Sequence, residues 1–287
     1  MKEKLILGTV QFGIDYGINN EKGMPSGNEV NAILASAFNS GIRTLDTAAA
    51  YGLAENRIGD FHALNTNQKF VINTKFSKDA TVPWLPSLMN SIHSMKLEQI
   101  DTIMFHSFES YLTNKTDLKE IYAIGFPRYF KRIGVSVYTN VEMEALITDE
   151  LVSVVQLPFN LLDNHLKRSV VIEKLRKQKK EIHTRSCFLQ GLFFLNEDKI
   201  PEKLIGVKPF LNKLKQIAVD HKIEMGHLAL QYALSKNYID KVLIGVDTVA
   251  QLEKNIQWAE EAIDNEIFSQ IDLIDVTNLA LLNPSKW

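Results

Sequence analysis

Short apolar runs rich in β-branched residues alternate with longer helical patterns along almost the whole chain. That alternation restricts the fold more than any other feature. The runs cover residues 5–9, 43–46, 70–75, 102–106, 132–136, 153–157, 182–186 and 241–245. Most are nearly continuous in apolar residues, as parallel strands covered on both faces require. Helical spacing is plain in 28–40, where Val30, Ile33, Leu34, Ala37 and Phe38 recur on one face between a capping Asn28 and Gly41. Further helices are expected over 118–129, 141–148, 166–178, 204–222, 225–236, 249–262 and 267–273. A weaker one lies within 81–95, confined by Pro83 and Pro86 to the part after them.

Eight strand-helix units in about 250 residues suit a closed (β/α)8 TIM barrel of the α/β class, with an open doubly wound sheet as the alternative. No linker rich in Gly, Pro or Ser divides the chain, so a single domain over 1–287 is expected. Residues 264–287 form its tail, in which Leu281, Leu282 and Trp287 should pack near the barrel mouth.

Composition removes several classes of function. With 32 Lys+Arg against 34 Asp+Glu, the net charge of −2 offers no basic footprint for nucleic acid or an anionic membrane. No apolar run approaches the roughly 20 residues that span a bilayer. The N-terminal apolar stretch reads as a first strand rather than a signal peptide, since Gln11 and Asp15 follow at once. The single cysteine, Cys187, cannot form an internal disulfide and suits a reducing compartment such as the cytoplasm. Its expected role is packing. The seven histidines lack the spacing of a metal site, and no Gly-rich phosphate loop of the common types occurs. The basic run 174–181 reads as the solvated end of a helix.

In a (β/α)8 barrel, chemistry sits at the C-terminal ends of the strands. In chain order those ends carry Gly8, Thr9, Gln11 and Phe12; then Asp46 with Tyr51 just beyond; then Lys75, His106, Ser136, Gln156, Arg185 with Ser186, and Gly245. Asp46, Tyr51, Lys75 and His106 form a coherent set. A phenol of ordinary pKa, about 10, is a poor acid near neutrality. An ammonium beside it favours the phenolate, and a carboxylate keeps a partly buried ammonium charged. Lys75 and Asp46 can supply that pair, and His106 can hydrogen-bond a substrate oxygen. Such a group suits proton delivery to a carbonyl oxygen while hydride reaches the carbon. Each residue alone has an ordinary structural reading: Asp46 as a turn cap, Lys75 as a solvated strand end, His106 as a bonded core residue, Tyr51 as loop packing. Their joint placement at these strand ends favours function.

On these residues the sequence resembles the aldo-keto reductase superfamily, and within it the bacterial branch with short loops. The matching stretches are LGTVQFG at 7–13, GIRTLDTAAAYG at 41–52, INTK at 72–75, IMFH at 103–106, IGVS at 133–136, VQLPFN at 155–160, SCFLQGL at 186–192 and LIGVDTVAQLEKN at 243–255. The resemblance implies a (β/α)8 barrel using NADP(H) or NAD(H) to reduce a small-molecule carbonyl, an aldehyde or ketone that is sugar-like or aromatic. It implies that Tyr51 is the general acid in reduction, tuned by Lys75 and Asp46, with His106 orienting the carbonyl. Gln156 and Ser136 would hold the nicotinamide carboxamide, and Thr9 joins the cofactor contacts. Ser186, Leu189 and Gly191 would line the pyrophosphate. Gly245, Asp247, Gln251 and Asn255 would contact the adenosine half.

Three departures from the family pattern stand out. Val137 replaces the Asn that commonly follows the Ser136 position. Arg185 stands where an aromatic ring often stacks on the nicotinamide, and its planar guanidinium could stack there instead. The stretch 245–251 carries no cation, whereas relatives that use NADPH place Arg or Lys there. Asp247 would repel a 2′-phosphate and accept from a free 2′-hydroxyl, or else cap the helix that follows. Phe12, Tyr16, Trp84, Phe108, Phe159 and Trp287 could wall the substrate pocket or simply pack. The oligomeric state is expected to be a monomer or weak homo-oligomer. A nicotinamide-binding regulatory subunit on the same fold is the alternative function; a metal-dependent hydrolase lacks paired ligands.

Overall fold

The computed structural model describes residues 1–77 and 82–287, so the start of the expected helix in 81–95 lies partly outside the described residues. Eight strands run β1 Leu5–Gly8, β2 Thr44–Asp46, β3 Val71–Lys75, β4 Ile100–Phe105, β5 Phe130–Ser136, β6 Val152–Pro158, β7 Glu181–Arg185 and β8 Lys241–Gly245. They are all parallel and close in chain order, with β8 returning to β1. The expected strands thus agree to within two residues at each end.

The helices are α1 Gly27–Asn39, α2 Ala54–Leu64, α3 Trp84–Ser94, α4 Phe108–Thr113, α5 Leu118–Gly125, α6 Asn140–Ala145, α7 His165–Lys177, α8 Lys208–Asp220, α9 Met225–Leu234, α10 Val249–Glu260 and α11 Asn265–Asp272. The cap of α1 is Ser26 rather than Asn28: its hydroxyl accepts from Glu29 N–H while the Glu29 carboxylate accepts from Ser26 N–H. Sequence reading passes over α2 and α4. In α2 the buried face includes Glu55, Gly59 and His62 beside Ala54, Ile58 and Phe61, so polar residues break the apolar period. Gly59 is required there, because a β-carbon would collide with the Ser94 carbonyl at the end of α3.

One continuous apolar core fills the space between strands and helices. At the N-terminal end of the barrel, Arg132 on β5 pairs with Asp101 on β4 and Glu181 on β7, and His183 bonds Glu181 at 2.8 Å. The opposite end carries the cleft described next. Leu281 and Leu282 of the tail are buried, and Pro284 and Ser285 reach the cleft wall. No helix among the described residues is long and apolar enough to cross a membrane, and no group of potential metal ligands occurs among them.

Candidate active site

Alternation along β3 decides where its polar residues point. Thr74 faces outward and donates to Glu55 on α2 at 2.6 Å. Lys75 therefore points inward, where its ammonium donates to Asp46 Oδ1 at 2.5 Å and to the Thr47 carbonyl at 2.9 Å. Each of the pair is only 2% exposed. The second Asp46 oxygen, Oδ2, accepts from Gln156 Nε2 at 2.7 Å. Burial by itself would push the Lys75 ammonium toward losing its proton. The Asp46 charge, the nearby Tyr51 phenol and the Asp46 hydrogen bond outweigh it and hold the lysine pKa above its ordinary value.

Tyr51 sits on the turn between β2 and α2. Its N–H donates to the Ala48 carbonyl at 2.9 Å, and Ala49 N–H donates to the Lys75 carbonyl at 3.3 Å, which ties this turn to the end of β3. The Lys75 ammonium lies 5.3 Å from the Tyr51 ring centre. His106 meets the same ring edge-on, with centroids 5.7 Å apart. The four residues expected to act together are therefore brought to one point.

They stand at one side of a cleft of about 1240 Å³. Of the residues expected to contact a cofactor, Thr9, Ser136, Gln156, Arg185, Ser186, Gly191, Gly245, Asp247, Gln251 and Asn255 line it. Leu189 does not: its side chain is fully buried, and Gln190 and Gly191 face the cleft instead. The backbone there is left-handed at Ser186, Leu189, Gln190 and Gly191. The loop after β1 joins this segment, with Ile18 N–H donating to the Gln190 carbonyl at 3.1 Å. Gly17, Asn19, Gln190 and Gly191, on both sides of that contact, line the cleft.

At the far end, Thr248 rather than Asp247 caps α10, since its hydroxyl accepts from Gln251 N–H at 3.2 Å. Asp247 Oδ1 is buried and has no protein hydrogen bond among the described residues. Burial raises the Asp247 pKa, against the opposing pull of Gln251. The sequence reading finds no cation in 245–251, but the fold brings Lys254, one turn further along α10, to the cleft wall, where it pairs with Glu224 at 2.7 Å.

Of the candidate aromatic walls, Tyr16 and Phe108 line the cleft. Phe12 and Phe159 are fully buried core residues. Trp84 and Trp287 pack partly buried against the core rather than on the wall. Tyr138, Phe188, Phe194 and Trp258 line it unanticipated, because they lie on loops and helix faces rather than at strand ends. Cys187 packs as expected: it is buried, donates to the Ala229 carbonyl, and burial pushes its thiol pKa up. Val137 is fully buried.

The sequence profile of the Aldo/keto reductase family matches residues 4–276. The chain belongs to the aldo/keto reductase family. This aldo/keto reductase is 23% identical to the D-threo-aldose 1-dehydrogenase of Pseudomonas sp. over 86% of its own length and 88% of that protein's. Its fold is similar to that of an aldo-keto reductase from Bacillus halodurans solved in a holo form, with a TM-score of 0.75, 17% identity, and coverage of 95% of this chain and 92% of that one.

Proposed function

We propose that the protein is an NAD(P)H-dependent oxidoreductase that interconverts an aldehyde or ketone with its alcohol. The observation that carries this reading is the Tyr51 ring 5.3 Å from an ammonium that the buried Asp46 carboxylate keeps charged, beside a long cleft. The cleft exceeds the roughly 300–1,000 Å³ of ordinary small-molecule sites and reaches from Tyr51 to Asp247. Two buried oxygens along it, Gln11 Oε1 and Asp247 Oδ1, lack protein partners among the described residues and can accept from a ligand. These features fit a dinucleotide. A bound nicotinamide dinucleotide would supply the hydride equivalent that carbonyl reduction needs.

The protein's own groups do the rest. The Tyr51 hydroxyl donates a proton to the carbonyl oxygen, and Lys75 stabilises the phenolate left behind. Asp46 holds Lys75 charged and aimed. His106 orients the carbonyl oxygen. Ser136 and Gln156 would hold a carboxamide, Ser186 and Gly191 a pyrophosphate, and Asn255 with Asp247 the adenosine end. The family membership and the dehydrogenase relative support an oxidoreductase.

The test is loss of reduced-nicotinamide absorbance with a panel of aldehydes, ketones and aldoses, run in parallel with Tyr51→Phe. Turnover that the variant nearly abolishes supports the proposal. Tight nucleotide binding with no turnover on the whole panel would replace it with the regulatory-subunit reading.

A further inference from the structure

The base of the cleft holds more positive charge than the proton-transfer group needs. The Lys75 ammonium is balanced by Asp46 at 2.5 Å. Arg185, at the end of β7, has no ion pair among the described residues. Its guanidinium lies over the Tyr138 ring, 4.1 Å from the centroid, and its Nη2 donates to the Val137 carbonyl at 3.1 Å. These contacts occupy one face of the guanidinium and one of its five N–H donors. The protein, not a bound ring, is what stacks on that face.

Two carboxylates of this region are already engaged. Asp163 is buried and takes two bonds from Arg168, to Nε at 2.6 Å and Nη2 at 2.8 Å. Arg168 also bonds the Tyr138 carbonyl at 2.7 Å and Asn140 Oδ1 at 2.7 Å, so the same buried pair fixes the loop that carries the Tyr138 platform. Glu142, on the cleft wall, accepts from Tyr138 N–H at 2.6 Å and Thr139 N–H at 3.1 Å. Arg185 is thus pre-positioned, yet its charge has no ion-pair partner among the described residues.

Arg185 lines the same cleft as Tyr51, Lys75, Tyr16 and Tyr138. Its charge bears on both Lys75 and Tyr16. Burial pushes the Tyr16 pKa up to about 12, so its hydroxyl stays protonated and can donate. A fork of guanidinium donors and a protonated phenol, both on the wall of the cleft that Tyr51 also lines, match a planar anion.

We propose that Arg185, assisted by Tyr16, selects carbonyl substrates bearing a carboxylate within a few bonds of the reacting carbon: oxo acids rather than neutral aldehydes. This rests on the oxidoreductase reading above and adds the substrate class. Arg185 acts as a specificity residue and carries no proton in the reaction.

The experiment compares oxo acids with their methyl esters: pyruvate against methyl pyruvate, and 4-oxobutanoate against its methyl ester. The readout is the ratio of kcat/KM for acid over ester, in which any loss common to both cancels. A charge-assisted contact predicts a ratio of about 10- to 100-fold in the wild type for at least one pair. Arg185→Gln should bring that ratio to about unity, and Arg185→Lys should restore part of it. Tyr16→Phe should lower it by a smaller factor. Dissociation constants of the nicotinamide nucleotides, followed by protein fluorescence, should not differ between wild type and Arg185→Gln by more than a few-fold.

Equal kcat/KM for acids and esters in the wild type overturns the proposal while leaving the oxidoreductase reading intact. A ratio unchanged in Arg185→Gln, with nucleotide binding weakened tenfold or more, assigns the guanidinium to the dinucleotide and also overturns it. Absence of turnover on every acid, ester and neutral carbonyl overturns both readings together.

Discussion

Gly13 and Tyr51 are packed backbone against backbone. A β-carbon on Gly13 would overlap the Tyr51 carbonyl oxygen and come within 2.5 Å of Ala54 N. The loop after β1 therefore acts as a stop that sets the height of the Tyr51 turn. Gly13→Ala is expected to cost about 1–3 kcal/mol by overpacking, and to lower kcat beyond what the lost folded fraction explains. Urea unfolding with kinetics on the same samples checks it. Gly27→Ala, at the start of α1 where an added β-carbon meets nothing within 4 Å, is the matched control and should not lower stability.

Tyr51→Phe removes the proposed proton donor but keeps the ring that His106 and Lys75 contact. Turnover should fall by about 10²- to 10⁴-fold, with nucleotide affinity within a few-fold of wild type. Stopped-flow and fluorescence titration measure the two. Equal loss of both would mean that the hydroxyl serves binding rather than proton transfer.

Asp46→Asn strips the balancing charge from a lysine that is 2% exposed. Breaking such a pair costs about 3–5 kcal/mol, and Asp46→Asn/Lys75→Met should recover much of it without recovering activity. The pH sense follows from the raised Lys75 pKa. The contribution from the Lys75 proton is whole below the ordinary lysine value, about 10.4, and is lost as pH rises through the higher folded value. Wild-type stability near neutrality should therefore show no loss from this pair, and Asp46→Asn should be weaker across the whole neutral range.

The Glu181 carboxyl points the other way in pH. Although burial opposes it, the bond and charge of His183 and the Arg132 guanidinium hold Glu181 at about 2, against an ordinary value of 4.5. Its contribution is present above the ordinary value and is lost as pH falls from there toward the folded one. Wild type should lose more stability than Glu181→Gln between about pH 5 and pH 3. Urea titrations at the two pH values decide it; parallel losses would show that the floor of the barrel is not acid-sensitive through this residue.

At the far end of the cleft, Asp247 Oδ1, which has no protein hydrogen bond among the described residues, would suit the hydroxyl of the proposed dinucleotide's ribose better than a phosphate, and Lys254 is engaged by Glu224. NADH should bind at least as tightly as NADPH, and Asp247→Ser should shift the balance toward NADPH. Dissociation constants at low and high salt check this, since salt screens a charge effect and leaves a hydroxyl bond. NADPH bound about 100-fold tighter by the wild type, nearly 3 kcal/mol, would sink it.

The barrel is legible in the sequence because parallel strands buried on both faces leave continuous apolar runs. The catalytic candidates are legible because this fold exposes side chains at strand ends, so order along the chain becomes order around a rim. What sequence reading misses has a physical reason in each case. Helix α2 hides its period behind Glu55 and His62, whose polar groups are satisfied inside by Thr74 and Ser91 and by Met95. Lys254 and Trp258 reach the cleft from the same helix as Gln251 and Asn255, at positions to which neither strand-end reading nor the family resemblance gives a role. Tyr138 becomes a wall only because the Asp163–Arg168 pair, formed elsewhere, anchors its loop. Leu189 resembles a ligand contact by its neighbours in sequence, but the left-handed turn sends its side chain into the core and leaves Gln190 and Gly191 outside.

The Ile18–Gln190 link ties the loop after β1 to the loop after β7, and residues on both sides of it line the groove. Two stretches far apart in the chain therefore share one anchor, a single 3.1 Å backbone contact, so the shape of this part of the groove wall belongs to neither loop alone.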